Sequence, residues 1–183
     1  MKKWKTLESK VVFDSGWYKI IQDKVELPSG KIIDDYFIGD LPSVSMVFPL
    51  TKDKKAVFVR QYRHGTKEIL LELPAGTYDP KKEKPADVAK RELLEETGYK
   101  ADDLIYLGRV RNYPSKQTDY IDLHLAIEVE NTGVTSIEPT EDIEIVLVPL
   151  EKVINLIIEQ EIVVGGSIAN IFLAHNYLKE NNL

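Results

Sequence analysis

The stretch from Pro85 to Gly98 constrains the fold most, because it is punctuated as a helix and divided into two unlike faces. Proline in a first turn forfeits only an amide hydrogen that a helix start leaves unpaired, and glycine accepts the left-handed backbone that commonly ends a helix. At roughly 100° per residue, Glu92, Glu95 and Glu96 fall within an arc of about 100°, while Ala86, Ala89 and Leu93 lie to one side, suited to packing on a sheet. Like charges spaced i,i+4 repel, and carboxylates near a helix C-terminus meet the unfavourable end of the macrodipole. A merely solvated acidic face is the ordinary explanation. The alternative is a hard divalent cation, which takes oxygen ligands and, in the case of magnesium, joins a few carboxylates to substrate phosphates.

The rest of the chain supplies strands for that helix to pack on. Val11 to Phe13, Trp17 to Ile21 and Tyr36 to Ile38 are β-branched and aromatic runs, with a turn at Pro28-Ser29-Gly30, and predict a small antiparallel sheet. Ser43 to Leu50 and Ala56 to Tyr62 flank the polar stretch Thr51 to Lys55 as a hairpin would. Ile69 to Leu73 is a further strand, which Pro74-Ala75-Gly76 ends before a charged loop reaching Glu83. Beyond the helix, Leu104 to Val110, Ile121 to Val129 and Ile143 to Val148 read as strands, and Leu150 to Glu159 and Gly166 to Lys179 as helices. The class is α+β, with a β-rich subdomain over 1–40 and a main domain over 41–183.

Several function classes recede on composition. The formal charge is −6 across 183 residues, and no basic block offers a track for a phosphate backbone, so nucleic acid is not expected as a partner. Cysteine is absent, which removes disulfides, thiolate nucleophiles and cysteine-ligated zinc. Met1 to Lys10 lacks the apolar core of a secretory signal, and Val163 to Leu178 is too interrupted for a membrane span and reads as a buried helix. A cytoplasmic protein is expected. His64, His124 and His175 are far apart, show no metal-ligand spacing and read as local structural residues.

Residues beside the acidic helix add to the metal reading. Gly76 permits a backbone conformation that a side chain would obstruct, so the Ala75 carbonyl could turn toward the same site. Arg91 neighbours the cluster on the helical wheel and suits a bidentate pair, with Glu83 the candidate partner. Gly76, Glu83, Arg91-Glu92-Leu93-Leu94-Glu95-Glu96, Gly98 and Tyr99 together resemble the Nudix box, the glycine-x5-glutamate-x7-arginine-glutamate signature of the Nudix hydrolases. Six residues, not five, separate Gly76 from Glu83. The resemblance extends through Arg60-Gln61-Tyr62-Arg63, Leu70 to Gly76, Pro114 and Glu141-Asp142-Ile143-Glu144, and is then to the ADP-ribose pyrophosphatase group. Ser115 to Asp119 lacks the glycine-rich version common there.

The resemblance implies an α/β/α sandwich with a mixed sheet, preceded by a small N-terminal antiparallel sheet. It implies magnesium- or manganese-dependent hydrolysis of a nucleoside diphosphate derivative, with ADP-ribose first in line and AMP and ribose 5-phosphate as products. Glu92 and Glu96 are the implied catalytic metal ligands, joined by Glu95 and the Ala75 carbonyl. Glu141 is the implied general base, with Glu138 and Glu144 as substitutes. Arg63, Glu72 and Trp17 are implied in substrate binding, although a tryptophan in a small sheet is ordinarily core and either of the other two could instead serve in an ordinary structural pair with some other residue. Gly76, Glu83, Arg91 and Gly98 are structural in the box. The implied partners are a small nucleotide and a second copy of the chain, met through the N-terminal subdomain. The competing readings are a nucleoside triphosphate pyrophosphohydrolase and a non-catalytic Nudix-fold binding module.

Overall fold

The computed structural model describes residues 1–136 and 142–183, and the described chain divides into two compact units. The first comprises Met1–Pro42 with Arg111–Tyr120. Its strands β1 (Lys5–Asp14), β2 (Lys19–Glu26) and β3 (Ile32–Asp40) form an antiparallel meander in the order β1-β2-β3. The apolar runs underestimate β1, whose pairing with β2 continues through polar residues as far as Lys5 opposite Glu26. The segment 111–120 joins β3 through backbone bonds, Gly39 N–H to the Lys116 carbonyl at 2.7 Å and Thr118 N–H to the Gly39 carbonyl at 3.1 Å. Lys116 Nζ also stands 4.2 Å from the Tyr36 ring centre, a cation–π contact.

The second unit holds a mixed sheet: β4 (Ser43–Thr51), β5 (Lys55–Arg63), β6 (Glu68–Glu72), β7 (Ala75–Tyr78), β8 (Tyr99–Lys100), β9 (Ile105–Val110), β10 (Ile121–Asn131) and β11 (Ile143–Pro149). Its central order is β11-β5-β4-β10-β8, with β6 on β5, β7 on β4 and β9 on β10. β4 and β10 are parallel, and the other pairs are antiparallel. Three helices complete the unit: α1 (Pro85–Thr97), α2 (Leu150–Ile158) and α3 (Gly165–Glu180).

Alternate residues of β4 serve opposite layers, as the twofold period of a strand requires. Val47 packs with Ala89 and Leu93 of α1, while Met46, Phe48 and Leu50 pack with Val153 of α2 and Ile171, Ala174 and Leu178 of α3. The result is an α/β/α sandwich in which α1 owns one face of the sheet. This helix ends on Gly98 at φ +71°, where the amide bonds to the Leu94 carbonyl at 2.8 Å.

One expected loop is a strand. Pro74 interrupts pairing with β5, but the chain crosses to the other partner, and β7 pairs with β4 from Met46 opposite Ala75 to Ser43 opposite Tyr78. That crossing is fastened from two sides: Val47 N–H reaches the Pro74 carbonyl at 3.1 Å, and Leu73 N–H reaches Ser167 Oγ of α3 at 3.1 Å. The strand bordering α1 is thus held by the helix behind the sheet as well.

Candidate metal and substrate site

The site is built from β7, the following loop and α1. Gly76 is not in the left-handed region, so its freedom of conformation is not what the position uses. A Cβ there would lie 2.1 Å from Glu92 Oε1, so the glycine makes room for a carboxylate. Glu96 is 4% exposed, and its Oε2 accepts the Ala75 amide at 3.3 Å. Two of the three glutamates therefore rest against one strand. Glu95, further round the helix, stays half-exposed.

Arg91 occupies the centre of the charge cluster. Its Nη1 donates to Glu83 at 2.6 Å, its Nη2 to Glu92 at 3.0 Å, and its Nε lies 3.6 Å from Glu95. The repulsion expected of an empty acidic helix is thereby relieved from within the helix. Hydrogen bonding to Glu83, then to Glu92, raises the guanidinium pKa further. The extra residue before Glu83 is absorbed in a turn, where Asp79 takes the amides of Lys81, Lys82 and Glu83 at 2.9 to 3.1 Å. Glu83 still meets Arg91.

Two glutamates against a strand backbone, with Glu95 beside them on the helix, make a set of hard oxygen donors, which fits a magnesium- or manganese-sized cation by chemistry. As the side chains stand, no group of three histidines, aspartates or glutamates among the described residues is gathered for a metal. Arg91 stands between Glu92 and Glu95, paired with both. Glu92, Glu95, Glu96 and the Ala75 carbonyl are the groups that would hold such an ion.

Arg63 and Glu72 meet each other: Glu72 is buried, and Arg63 donates to its Oε2 through Nε at 2.9 Å and Nη2 at 2.5 Å. Both lie on the α1 face of the sheet, since Val59 opposite Glu72 and Gln61 and Arg63 share the parity of Val57, which packs on α1. Trp17 is no core residue. It follows Gly16 between β1 and β2 and is 80% exposed. Glu141 and Glu138 lie outside the described residues. Glu144 is removed as a substitute base, because it pairs with Arg60 at 2.7 Å, and Arg60 shares the parity of Phe58, facing away from α1.

A buried polar row that sequence reading missed supports β7 and α1 from beneath. Asp122 of β10 is fully buried and accepts hydrogen bonds from the Tyr78 and Tyr106 hydroxyls and from Arg109 Nε and Nη2 at 3.0 and 3.1 Å. Burial alone would raise its pKa, but the bonds from Arg109, Tyr78 and Tyr106 outweigh this and hold it below the ordinary carboxylate value. Ser45, opposite both Asp122 and Gly76, donates its hydroxyl to the Pro85 carbonyl at 2.7 Å. His124 Nδ1 lies 3.3 Å from the Met46 carbonyl, and burial lowers its pKa. The available signal was the alternation Ile121-Asp122-Leu123-His124-Leu125, which ordinarily marks a solvated polar face and here marks a buried one.

Comparison with known proteins identifies the family. Residues 40–163 match the NUDIX domain model, and residues 4–38 match the model described as nucleoside diphosphate sugar hydrolase N-terminal domain. The chain is 28% identical over 159 residues to the methanol dehydrogenase activator of Bacillus methanolicus and, equally, to the ADP-ribose pyrophosphatase of Bacillus subtilis; each alignment covers 86% of this chain and 85% of the relative. It is 28% identical over 134 residues to the ADP compounds hydrolase NudE of Escherichia coli, covering 73% and 70%. A crystal structure of an ADP compounds hydrolase superposes with a TM-score of 0.85 at 23% identity, covering 99% of this chain and 97% of that one, which establishes the shared fold. With the NUDIX model spanning the sheet, the box and α1, this chain is a member of the Nudix hydrolase family.

Proposed function

We propose that this chain hydrolyses the diphosphate linkage of a nucleoside diphosphate sugar, with ADP-ribose as the first candidate, and depends on magnesium or manganese. The observation carrying this reading is the seating of Glu92 against Gly76 and of Glu96 on the Ala75 amide, which brings two carboxylates of α1 to one strand. The names of the relatives from Bacillus subtilis and Escherichia coli support the substrate class. A divalent ion held by Glu92, Glu95, Glu96 and the Ala75 carbonyl supplies charge neutralisation and orientation at the diphosphate. Arg63 binds phosphate, and Glu72 fixes the Arg63 guanidinium. Glu141 takes the proton of the attacking water, whose oxygen joins one phosphorus as the bridging oxygen leaves with the other, giving AMP and ribose 5-phosphate.

The chain acts as a homodimer in the cytoplasm in this reading. Support for an assembly through the first unit comes from β1, exposed along its whole length with Leu7, Val11, Val12 and Phe13, and from exposed Trp17. Trp17 stacks on the base. Among the described residues no helix is long and apolar enough to cross a membrane.

Purified protein with magnesium, offered a panel of nucleoside diphosphate sugars, dinucleotides and nucleoside triphosphates, tests the reading. Two monophosphate products from a diphosphate sugar are expected. Pyrophosphate release would replace it with the triphosphate reading, and no turnover at all would favour a binding module. Glu92→Gln and Glu96→Gln should each lower turnover by at least about 100-fold with the fold retained, since each removes charge and not core volume. Unchanged turnover at saturating magnesium would reject the ligand assignment, and loss of specific activity on dilution tests the dimer.

A further inference from the structure

Five buried side-chain atoms among the described residues have no hydrogen-bond partner within the protein: Asp23 Oδ1, Gln61 Oε1, Asp119 Oδ1, Asn170 Oδ1 and His175 Nε2. Asp23 and Asp119 belong to the first unit, and Asn170 and His175 to α3 behind the sheet. Gln61 alone lies on the sheet face that α1 covers. It is 7% exposed, and burying an acceptor without a donor is unfavourable.

Its neighbours indicate what would satisfy it. On this face Gln61 stands opposite Leu70, with Val59 opposite Glu72 on one side and Arg63 opposite Glu68 on the other. The Arg63 guanidinium reaches diagonally to Glu72, so the ion pair spans the row that Gln61 occupies. Arg63 is a cation suited to a phosphate. The Glu72 carboxylate is already served by Arg63, whereas the Gln61 amide oxygen is an acceptor that repels phosphate oxygens and takes a donor. The donors nearest a diphosphate in a nucleotide sugar are the hydroxyls of the flanking sugars.

We infer that Gln61 is a substrate-binding residue whose side-chain oxygen accepts a hydrogen bond from a sugar hydroxyl beside the cleaved diphosphate. The inference rests on the diphosphate sugar reading above. A site built to accept a hydroxyl discriminates against a sugar lacking it, because the buried acceptor is then left unpaired. Gln61 therefore determines specificity at that hydroxyl.

The test combines Gln61→Leu with ADP-ribose analogues in which each ribose hydroxyl is replaced in turn by hydrogen. Expected are a roughly 10- to 100-fold fall in kcat/KM for ADP-ribose and a melting temperature equal to or above that of the unaltered protein. The unaltered protein should lose a comparable factor on one deoxy analogue, and the variant should no longer distinguish that analogue from ADP-ribose. Gln61→Met replaces the leucine variant if the latter fails to fold. Unaltered kcat/KM in the variant, a deoxy penalty that persists in it, or a fall in melting temperature alongside activity would each overturn the assignment. Absence of turnover by the unaltered protein on every diphosphate sugar would instead reject the underlying function, and the Gln61 contact with it.

Discussion

Replacing Gly76 with alanine tests the site at its tightest point. The added methyl would lie 2.1 Å from Oε1, 2.2 Å from Cδ and 2.4 Å from Cγ of Glu92. Carbon contacts become comfortable near ~3.5 Å, so the carboxylate must retreat by more than about 1 Å. The cost to the fold is small, because the obstructing atoms are the far end of a flexible side chain. A forced rotamer change costs about 0.5 to 1.5 kcal/mol, or a few degrees of melting temperature at about 2 to 4 °C per kcal/mol for a protein of this size. The cost to turnover is larger, since a misplacement of about 1 Å in a reacting constellation costs on the order of 100-fold. Gly76→Ala should therefore lose about 100-fold in kcat on the best panel substrate while melting within a few degrees of the unaltered protein. Because the loss is routed through Glu92, adding Glu92→Gln should cost little more, and the two effects should be far from additive. Turnover within about threefold of the unaltered protein, or full additivity of the two losses, would refute the reasoning.

Other outcomes follow from neighbouring contacts. Ser167→Ala removes the acceptor of the buried Leu73 amide and should destabilise by about 1 to 3 kcal/mol in urea unfolding; a change below about 0.5 kcal/mol would show that another acceptor serves it. Acid should weaken the fold in two windows. Burial holds His124 below its ordinary value of 6.5, so the unfolded chain takes up that proton first, and stability present above pH 6.5 declines as pH falls toward the folded-state pKa. Asp122 is held below 3.8, so its contribution is full above that value and is lost only in stronger acid. Melting temperature against pH should show both windows, and His124→Leu should erase the upper one; an unchanged profile in that variant would reject the assignment. Glu141→Gln should reduce turnover with the magnesium requirement little changed, and unaltered turnover would move the base elsewhere.

Local punctuation made the acidic helix legible, since Pro85 and Gly98 act through their own backbone chemistry and α1 runs between them as expected. The division of the sheet into two faces was harder to read. β4 is buried on both sides, so an apolar run tells nothing of which residue faces α1. Parity becomes informative only once Val47 is seen on Ala89 and Leu93, and it then separates Gln61 and Arg63 from Arg60 and Glu144. β7 was hidden because Pro74 ends one pairing at the point where another begins, a distinction carried by the partner strand and not by the local sequence. The placement of 111–120 beside β3 is likewise a non-local pairing with no signature of its own. The arginine at the centre of the acidic cluster was legible as a neighbour on the wheel. Its simultaneous reach to Glu83, Glu92 and Glu95 depends on the course of a loop that sequence alone left open.

The dipeptide Leu73-Pro74 has a mechanical meaning of its own, through the Leu73 amide at one end and the Pro74 carbonyl at the other. Its amide side is gripped by α3, a partner 94 residues further along the chain, and its carbonyl side by β4. A slip of α3 along its axis would be handed through this one unit to Ala75 and Gly76, and so to the carboxylates resting on them. The last helix, which contributes no residue to the acidic cluster, is thereby two residues of chain away from the strand on which the carboxylates rest, and a change in its packing at Ser167 reaches that strand through a single hydrogen bond.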